Sequence, residues 1–161
     1  IYPFPRCIIG LFLREDVDML ISTKGRYALR VMIDLAEHQA DGFIPLKVIA
    51  QRQQISEKYL ESIIKLLVKA KLLTGVRGKG GGYRLAKVPE QYTVESILRV
   101  TESSMAPVSC LEPGSDVCPR SAECRTLSMW RGLDQLITEY FENITLADLI
   151  HSDPEGYDYV I

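Results

Sequence analysis

Apolar residues recur at three- and four-residue steps in several stretches of this chain. Tyr27, Val31, Met32, Leu35 and Ala36 follow that spacing. They predict a helix from Thr23, its cap, to about Gln39 with one buried face. Asp41-Gly42 interrupts the pattern, and Pro45 suits the first turn of a short helix through Ala50. Ser56 opens a third helix, with Glu57, Lys58 and Glu61 outside and Leu60, Ile63, Ile64 and Leu67 inside. Tyr59 stands where a capping box needs Glu or Gln, so Ser56 is expected to cap alone. Two short helices joined by residues 52–55 read as a helix-turn-helix.

The pattern then changes. Residues 72–77 and 83–87 read as two strands, with Gly78, Gly80, Gly81 and Gly82 as a flexible turn between them. This is a wing beside the third helix, with Arg77, Lys79 and Arg84 on or near its tip. A phosphate-binding loop is the other use of such glycines. It needs a following helix and a Lys-Ser/Thr pair, and both are missing here. Thr93 caps a helix over 94–100 that turns Val94, Ile97 and Leu98 inward. Over 127–144, Trp130, Leu133, Ile137, Tyr140 and Ile144 form a stripe that Met129, Leu136 and Phe141 widen. So broad an apolar arc predicts dimerisation through this helix, with burial inside one chain as the alternative. Thr145 caps a last short helix ending near His151.

These elements divide the 161 residues into five parts. Residues 1–18 read as an extension, disordered or not native, with a genuine N-terminal arm as the alternative. Residues 19–100 form the winged helix-turn-helix and 101–126 a cysteine loop. Residues 127–151 hold the dimerisation helix and the short terminal helix, and 152–161 are a mobile tail. The fold class is mainly α, with a small β-hairpin wing. No apolar run approaches the length of a membrane span, and residues 7–13 lack the flanks of a signal peptide, so a cytoplasmic protein is expected.

The net charge of −2 argues against a nucleic-acid partner, but its distribution reverses that reading. Residues 22–88 carry 13 Lys and Arg against 5 Asp and Glu, and the remainder carries 6 against 16. A basic head with an acidic remainder suits one face for a polyanion. In a helix-turn-helix the second helix enters the major groove by its amino-terminal residues. These are Ser56, Glu57, Lys58, Tyr59, Glu61 and Ser62, with Lys58 and Lys65 also placed to pair with phosphates. Glu61 either accepts from a cytosine amino group or is a solvated helix position. Ser22, Thr23, Lys24 and Arg26 sit at a helix amino-terminus suited to phosphate. Arg77, Lys79, Gly80 and Gly81 form a wing tip that can approach the minor groove.

Cys110, Cys118 and Cys124 lie in one polar stretch, CLEPGSDVCPRSAEC. Thiolates this close hold a metal or sense redox state. An iron–sulfur cluster, zinc and a disulfide switch all remain open on the residues alone. A hydrolase lacks a coherent Ser/His/Asp set, because His38 and His151 are the only histidines. An electron carrier has no use for a wing. The chain is therefore not expected to be an enzyme.

The segments LISTKGRYALRVMIDLA, ISEKYLESIIKLL, VRGKGGGYRLAK, TVESILRVTE and ITLADLI, with the cysteine loop, resemble the winged-helix regulator family that includes IscR, NsrR and CymR. The resemblance runs from Met19 to about Ile150. It implies a homodimer with two winged heads and crossed long helices, bound to double-stranded DNA at a palindromic operator. In the cluster-binding branch it implies an iron–sulfur cluster on Cys110, Cys118 and Cys124. Glu61 and Arg77 match positions that the family uses for base and minor-groove contacts. Two features depart from the pattern. The spacer between Cys110 and Cys118 is longer, and the fourth ligand is missing: Leu127 stands where IscR-like chains have His, and Arg26 where NsrR-like chains have an acid. Asp116, Glu112, Glu123, a residue across the dimer, a non-protein ligand or Cys7 are the remaining candidates. The reading is a DNA-binding transcription regulator switched by a cluster, with a zinc-binding, thiol-redox or partner-responsive regulator of the same fold as the alternative.

Overall fold

The computed structural model describes residues 21–152. The extension over 1–18, Cys7, Met19 and all of the tail beyond Ser152 lie outside the described residues. Six α-helices and one hairpin follow in order: α1 (Thr23–Glu37), α2 (Leu46–Gln53), α3 (Glu57–Lys69), β1 (Leu73–Val76), β2 (Gly82–Leu85), α4 (Val94–Thr101), α5 (Leu127–Glu142) and α6 (Leu146–His151).

Helices α3 and α4 bury the faces that their sequence period assigns, and α1 does so except at Tyr27, which is half-buried. Leu60, Ile63, Ile64 and Leu67 of α3 are buried, as are Val94, Ile97 and Leu98 of α4. The Ser56 side chain accepts from Tyr59 N–H without a capping box, and Thr93 accepts from Ser96 N–H. Thr145 and Asp148 cap α6 reciprocally, in a capping box with Asp in the acid position.

Several boundaries differ from the sequence expectation, and helix α5 ends at Glu142 instead of Ile144. The cap of α1 is Ser22, whose Oγ accepts from Gly25 N–H at 3.1 Å, and not Thr23. Helix α2 runs three residues past Ala50 and stops where Gln54 takes a left-handed φ of 55°. The two strands are shorter than expected, pairing antiparallel from Leu73↔Leu85 to Val76↔Gly82. The hairpin gains a third partner that the periodicity does not announce. Ile44 exchanges both backbone hydrogen bonds with Tyr83, at 3.0 and 2.8 Å. That exchange ties the wing to the entry of α2.

The core gathers Val31, Met32 and Leu35 of α1, Ile49 of α2, the inner face of α3, Ile97 and Tyr92. Helix α6 returns to this core through Leu146, which is fully buried. Its path is set by Leu146 N–H donating to Tyr92 C=O at 2.8 Å, beside a bridge between Thr93 and Thr145. Helix α5 behaves differently, since none of its residues is buried. Trp130, Leu133, Ile137 and Phe141 are half-buried, whereas Met129, Leu136 and Tyr140 are 54%, 64% and 64% exposed, so among the described residues the apolar arc is covered only in part.

Candidate DNA interface and cysteine site

The cap Ser56 and, along α3, Glu57, Lys58, Glu61, Ser62 and Lys65 are exposed to solvent. Tyr59 is half-buried instead, its ring edge-on to Tyr27 at 5.9 Å. Ser62 Oγ donates to Tyr59 C=O at 2.6 Å. Glu61 pairs with Lys65 one turn later at 2.9 Å. Such an exposed pair is worth only about 0.3–0.5 kcal/mol, so either partner is readily exchanged for DNA. The pairing also offsets the repulsion that a lone carboxylate exerts on phosphate.

At the start of α1, Thr23 and Arg26 are exposed and Lys24 is half-buried. Arg26 donates to Thr23 Oγ1 at 3.0 Å, which keeps both on one edge. Arg77, Lys79 and Gly80 stand exposed on the turn between the strands, with Gly81 beside them. The glycines answer to two constraints beyond flexibility. Gly80 has a φ of +78°, a region that side-chain-bearing residues rarely adopt. A Cβ on Gly82 meets the Ile44 backbone at 2.3 Å, so the bridge to Ile44 requires glycine there. Arg84 is not at the tip. It sits mid-strand opposite Thr74, its guanidinium 4.4 Å from the centre of the Phe43 ring, because a strand of this register ends the turn at Gly82. Between α3 and the wing runs a groove of about 500 Å³ whose lining includes Glu61, Lys65, Lys69, Val76, Arg77 and Tyr83. The expected base reader and the expected minor-groove residue thus border one groove.

A polar cluster behind this face escapes the sequence reading. Asp34, 2% exposed, accepts from Arg52 Nη2 at 2.8 Å and from Gln53 Nε2 at 3.0 Å. Arg30 donates to Gln53 Oε1 at 3.1 Å and to its carbonyl at 2.6 Å, and its guanidinium lies 5.2 Å from the Tyr27 ring centre. The available signal was an acid on the apolar stripe of α1, between Val31 and Leu35.

Cys110 and Cys124 are exposed, Cys118 is half-buried, and all three are free thiols. They line one cavity of about 170 Å³ together with Asp116, Leu127 and Arg131. Of the carboxylates weighed as fourth donor, Asp116 borders this cavity, and Glu112 and Glu123 do not. The Thr126 hydroxyl, 3.5 Å from Cys124 Sγ, and the backbone of Thr126 hold the Cys124 thiol below its ordinary pKa. Soft thiolates with one carboxylate match an iron–sulfur cluster or zinc better than a hard cation. Among the described residues, no three His, Cys, Asp or Glu side chains stand close enough together to chelate a single metal ion. A single ion such as zinc on these thiols therefore needs the loop to draw in. That is feasible for a segment built of short turns whose backbone hydrogen bonds are local.

A family model described as Rrf2, iron-dependent transcriptional regulator, matches residues 21–152. The chain belongs to the Rrf2 family. Among Rrf2 relatives, the HTH-type transcriptional regulator IscR of Erwinia tasmaniensis is 37% identical over 134 residues, 83% of this chain and 80% of the relative. The solved structure of T. potens IscR is 41% identical, with a TM-score of 0.62, covering 80% of this chain and 84% of that one. CymR, the global cysteine regulator of B. subtilis, is 37% identical, with a TM-score of 0.67, covering 83% and 98%. The Rrf2 head with its hairpin is a winged helix, and the protein is a DNA-binding transcription regulator, not an enzyme. No helix among the described residues is long and apolar enough to cross a membrane.

Proposed function

We propose that this Rrf2 regulator is a cytoplasmic homodimer whose affinity for a palindromic operator is switched by an iron–sulfur cluster on Cys110, Cys118 and Cys124. The observation that carries the reading is a single cavity taking all three thiols and walled by Leu127 and Arg131 at the start of α5. Asp116, on the same cavity, is the carboxylate best placed to complete the set. A bound cluster supplies thiolate-held iron that is sensitive to oxidants and to iron supply.

The chain's own residues do the rest. Lys58, Glu61 and Ser62 read the major groove from α3, with Ser56 and Tyr59 at its entry and Lys65 on phosphate. Thr23, Lys24 and Arg26 meet phosphate from α1. Arg77, Lys79, Gly80 and Gly81 approach the minor groove. The exposed arc of Met129, Leu136 and Tyr140 on α5 supports pairing with a second copy. Loop and α5 share a wall, so a change at the thiols alters the spacing of two heads that must match two half-sites.

Purification without oxygen, with iron and sulfide content, visible spectrum and DNA retardation of loaded and iron-free protein, tests the reading. Iron-free, colourless protein after reconstitution refutes it. A thiol-redox regulator is the second reading, favoured by the exposed Cys124 and its lowered pKa. It predicts that iron-free protein changes DNA affinity with a disulfide-forming oxidant and recovers with a thiol reductant.

A further inference from the structure

We propose that Glu102 is the positioning residue through which the cysteine segment acts on the DNA-facing end of α1. Glu102 follows directly on α4 and opens the segment that leads to Cys110. Its carboxylate accepts from Ser22 Oγ at 2.7 Å and from Ser22 N–H at 3.3 Å. Ser22 is the cap of α1, and its Oγ at the same time accepts from Gly25 N–H. The acid therefore extends the cap of a helix 80 positions away in sequence. Among the described residues, these are the hydrogen bonds by which residues 102–126 reach α1, and none joins that segment to α2, α3 or the wing.

Gly25 is a second and independent sign. It is buried in helical conformation, so backbone freedom does not explain it. A Cβ there comes within 2.2 Å of Glu102 Oε1 and 3.1 Å of Ile21 Cγ2. The missing side chain is the space in which the carboxylate sits.

The contact is placed to transmit in both directions. Thr23, Lys24 and Arg26 draw phosphate to the edge that Ser22 caps, and an arriving phosphate repels Glu102 and competes for the Ser22 donors. Glu102 then shifts, and the cysteine segment shifts with it. A change that begins at the thiols runs the same path backwards, because coupling between two sites is reciprocal. The inference rests on the α1 edge facing phosphate. It does not require a cluster, so an iron-free protein leaves it standing.

The test uses the full-length iron-free protein under reducing conditions and a duplex that the protein itself selects from a randomised pool. The alkylation rates of Cys110, Cys118 and Cys124 are read site by site by mass spectrometry, with and without saturating duplex. In the wild type the duplex is expected to change at least one rate by about fivefold or more, the lower range of ordinary coupling energies. In Glu102→Ala that change is lost although the duplex still binds. A folded Glu102→Ala protein that keeps the wild-type response overturns the proposal, as does a wild type without one. If Glu102→Ala does not fold, Gly25→Ala decides on the same terms. It evicts the flexible carboxylate end while adding a better helix former. Arg26→Ala in parallel reports on the phosphate edge separately: an unchanged salt dependence of binding refutes that edge, whatever the labelling shows.

Discussion

Replacing Asp34 by Ala should cost about 2–3 kcal/mol of folding stability, because it removes the carboxylate from a cluster that it forms with Arg52, Gln53 and Arg30. Asp34 lies on the buried face of α1, and both of its donors, Arg52 and Gln53, come from the last turn of α2. Without the carboxylate, a guanidinium and an amide keep their place in a part-buried site with no acceptor. Breaking a fully buried pair costs about 3–5 kcal/mol. The Arg52 side chain is 28% exposed, so water recovers part of its solvation and the lower range applies. For a chain of this length the loss corresponds to a fall in Tm on the order of 10 °C. Asp34→Asn keeps the shape and one acceptor but turns an NH₂ toward a donor, so it should recover less than half. Urea unfolding followed by circular dichroism at one fixed protein concentration makes the comparison, since self-association moves the midpoint with concentration. Stability of Asp34→Ala within about 0.5 kcal/mol of wild type, the range of ordinary surface changes, would rule out a structural role for this ion pair. It would mean that Arg52 and Gln53 simply turn to water and that α2 is held to α1 by its apolar face alone.

Three further outcomes are expected. Arg77→Ala should weaken operator binding and flatten the salt dependence of log K by about 0.9, one phosphate's share, while sedimentation shows an unchanged assembly; an unaltered slope removes Arg77 from the interface. Leu136→Glu changes a residue 64% exposed on α5, so within one chain it should alter stability by less than about 0.5 kcal/mol. Sedimentation should nonetheless show loss of the dimer, and a dimer that survives argues for another interface. Tyr92→Phe removes a buried hydroxyl that donates to Leu72 C=O at 2.9 Å and accepts from Lys87 N–H at 2.7 Å, which should cost about 1–3 kcal/mol at neutral pH. Burial raises the pKa of that phenol, so its contribution is complete below the ordinary tyrosine range and is lost as the pH climbs through the raised value. The gap between wild type and Tyr92→Phe should therefore narrow in alkaline unfolding series, and a constant gap would contradict the assignment.

The amino-acid order alone determined the helices of the head and which face of each is buried. Leu60, Ile63, Ile64 and Leu67 occupy one side of any α-helix drawn through them, and Ser56, Thr93 and Thr145 meet their N–H partners within three residues. Both are local facts of helical geometry. The basic head, the wing and the three thiols were legible for the same reason, since residue type and short spacing carry them. Only the tertiary structure decided what depends on residues far apart in the chain. Ser22 rather than Thr23 caps α1, with Glu102 arriving to accept from it. Gly82 is needed because Ile44 passes against it. Asp34 can be buried because Arg52 and Gln53 converge on it. The same holds for the cysteines: their number is a property of the sequence, and their shared cavity with Asp116, Leu127 and Arg131 is a property of the fold. Periodicity reports which way a side chain points along its own element, whereas a long-range partner exists only once two elements have packed.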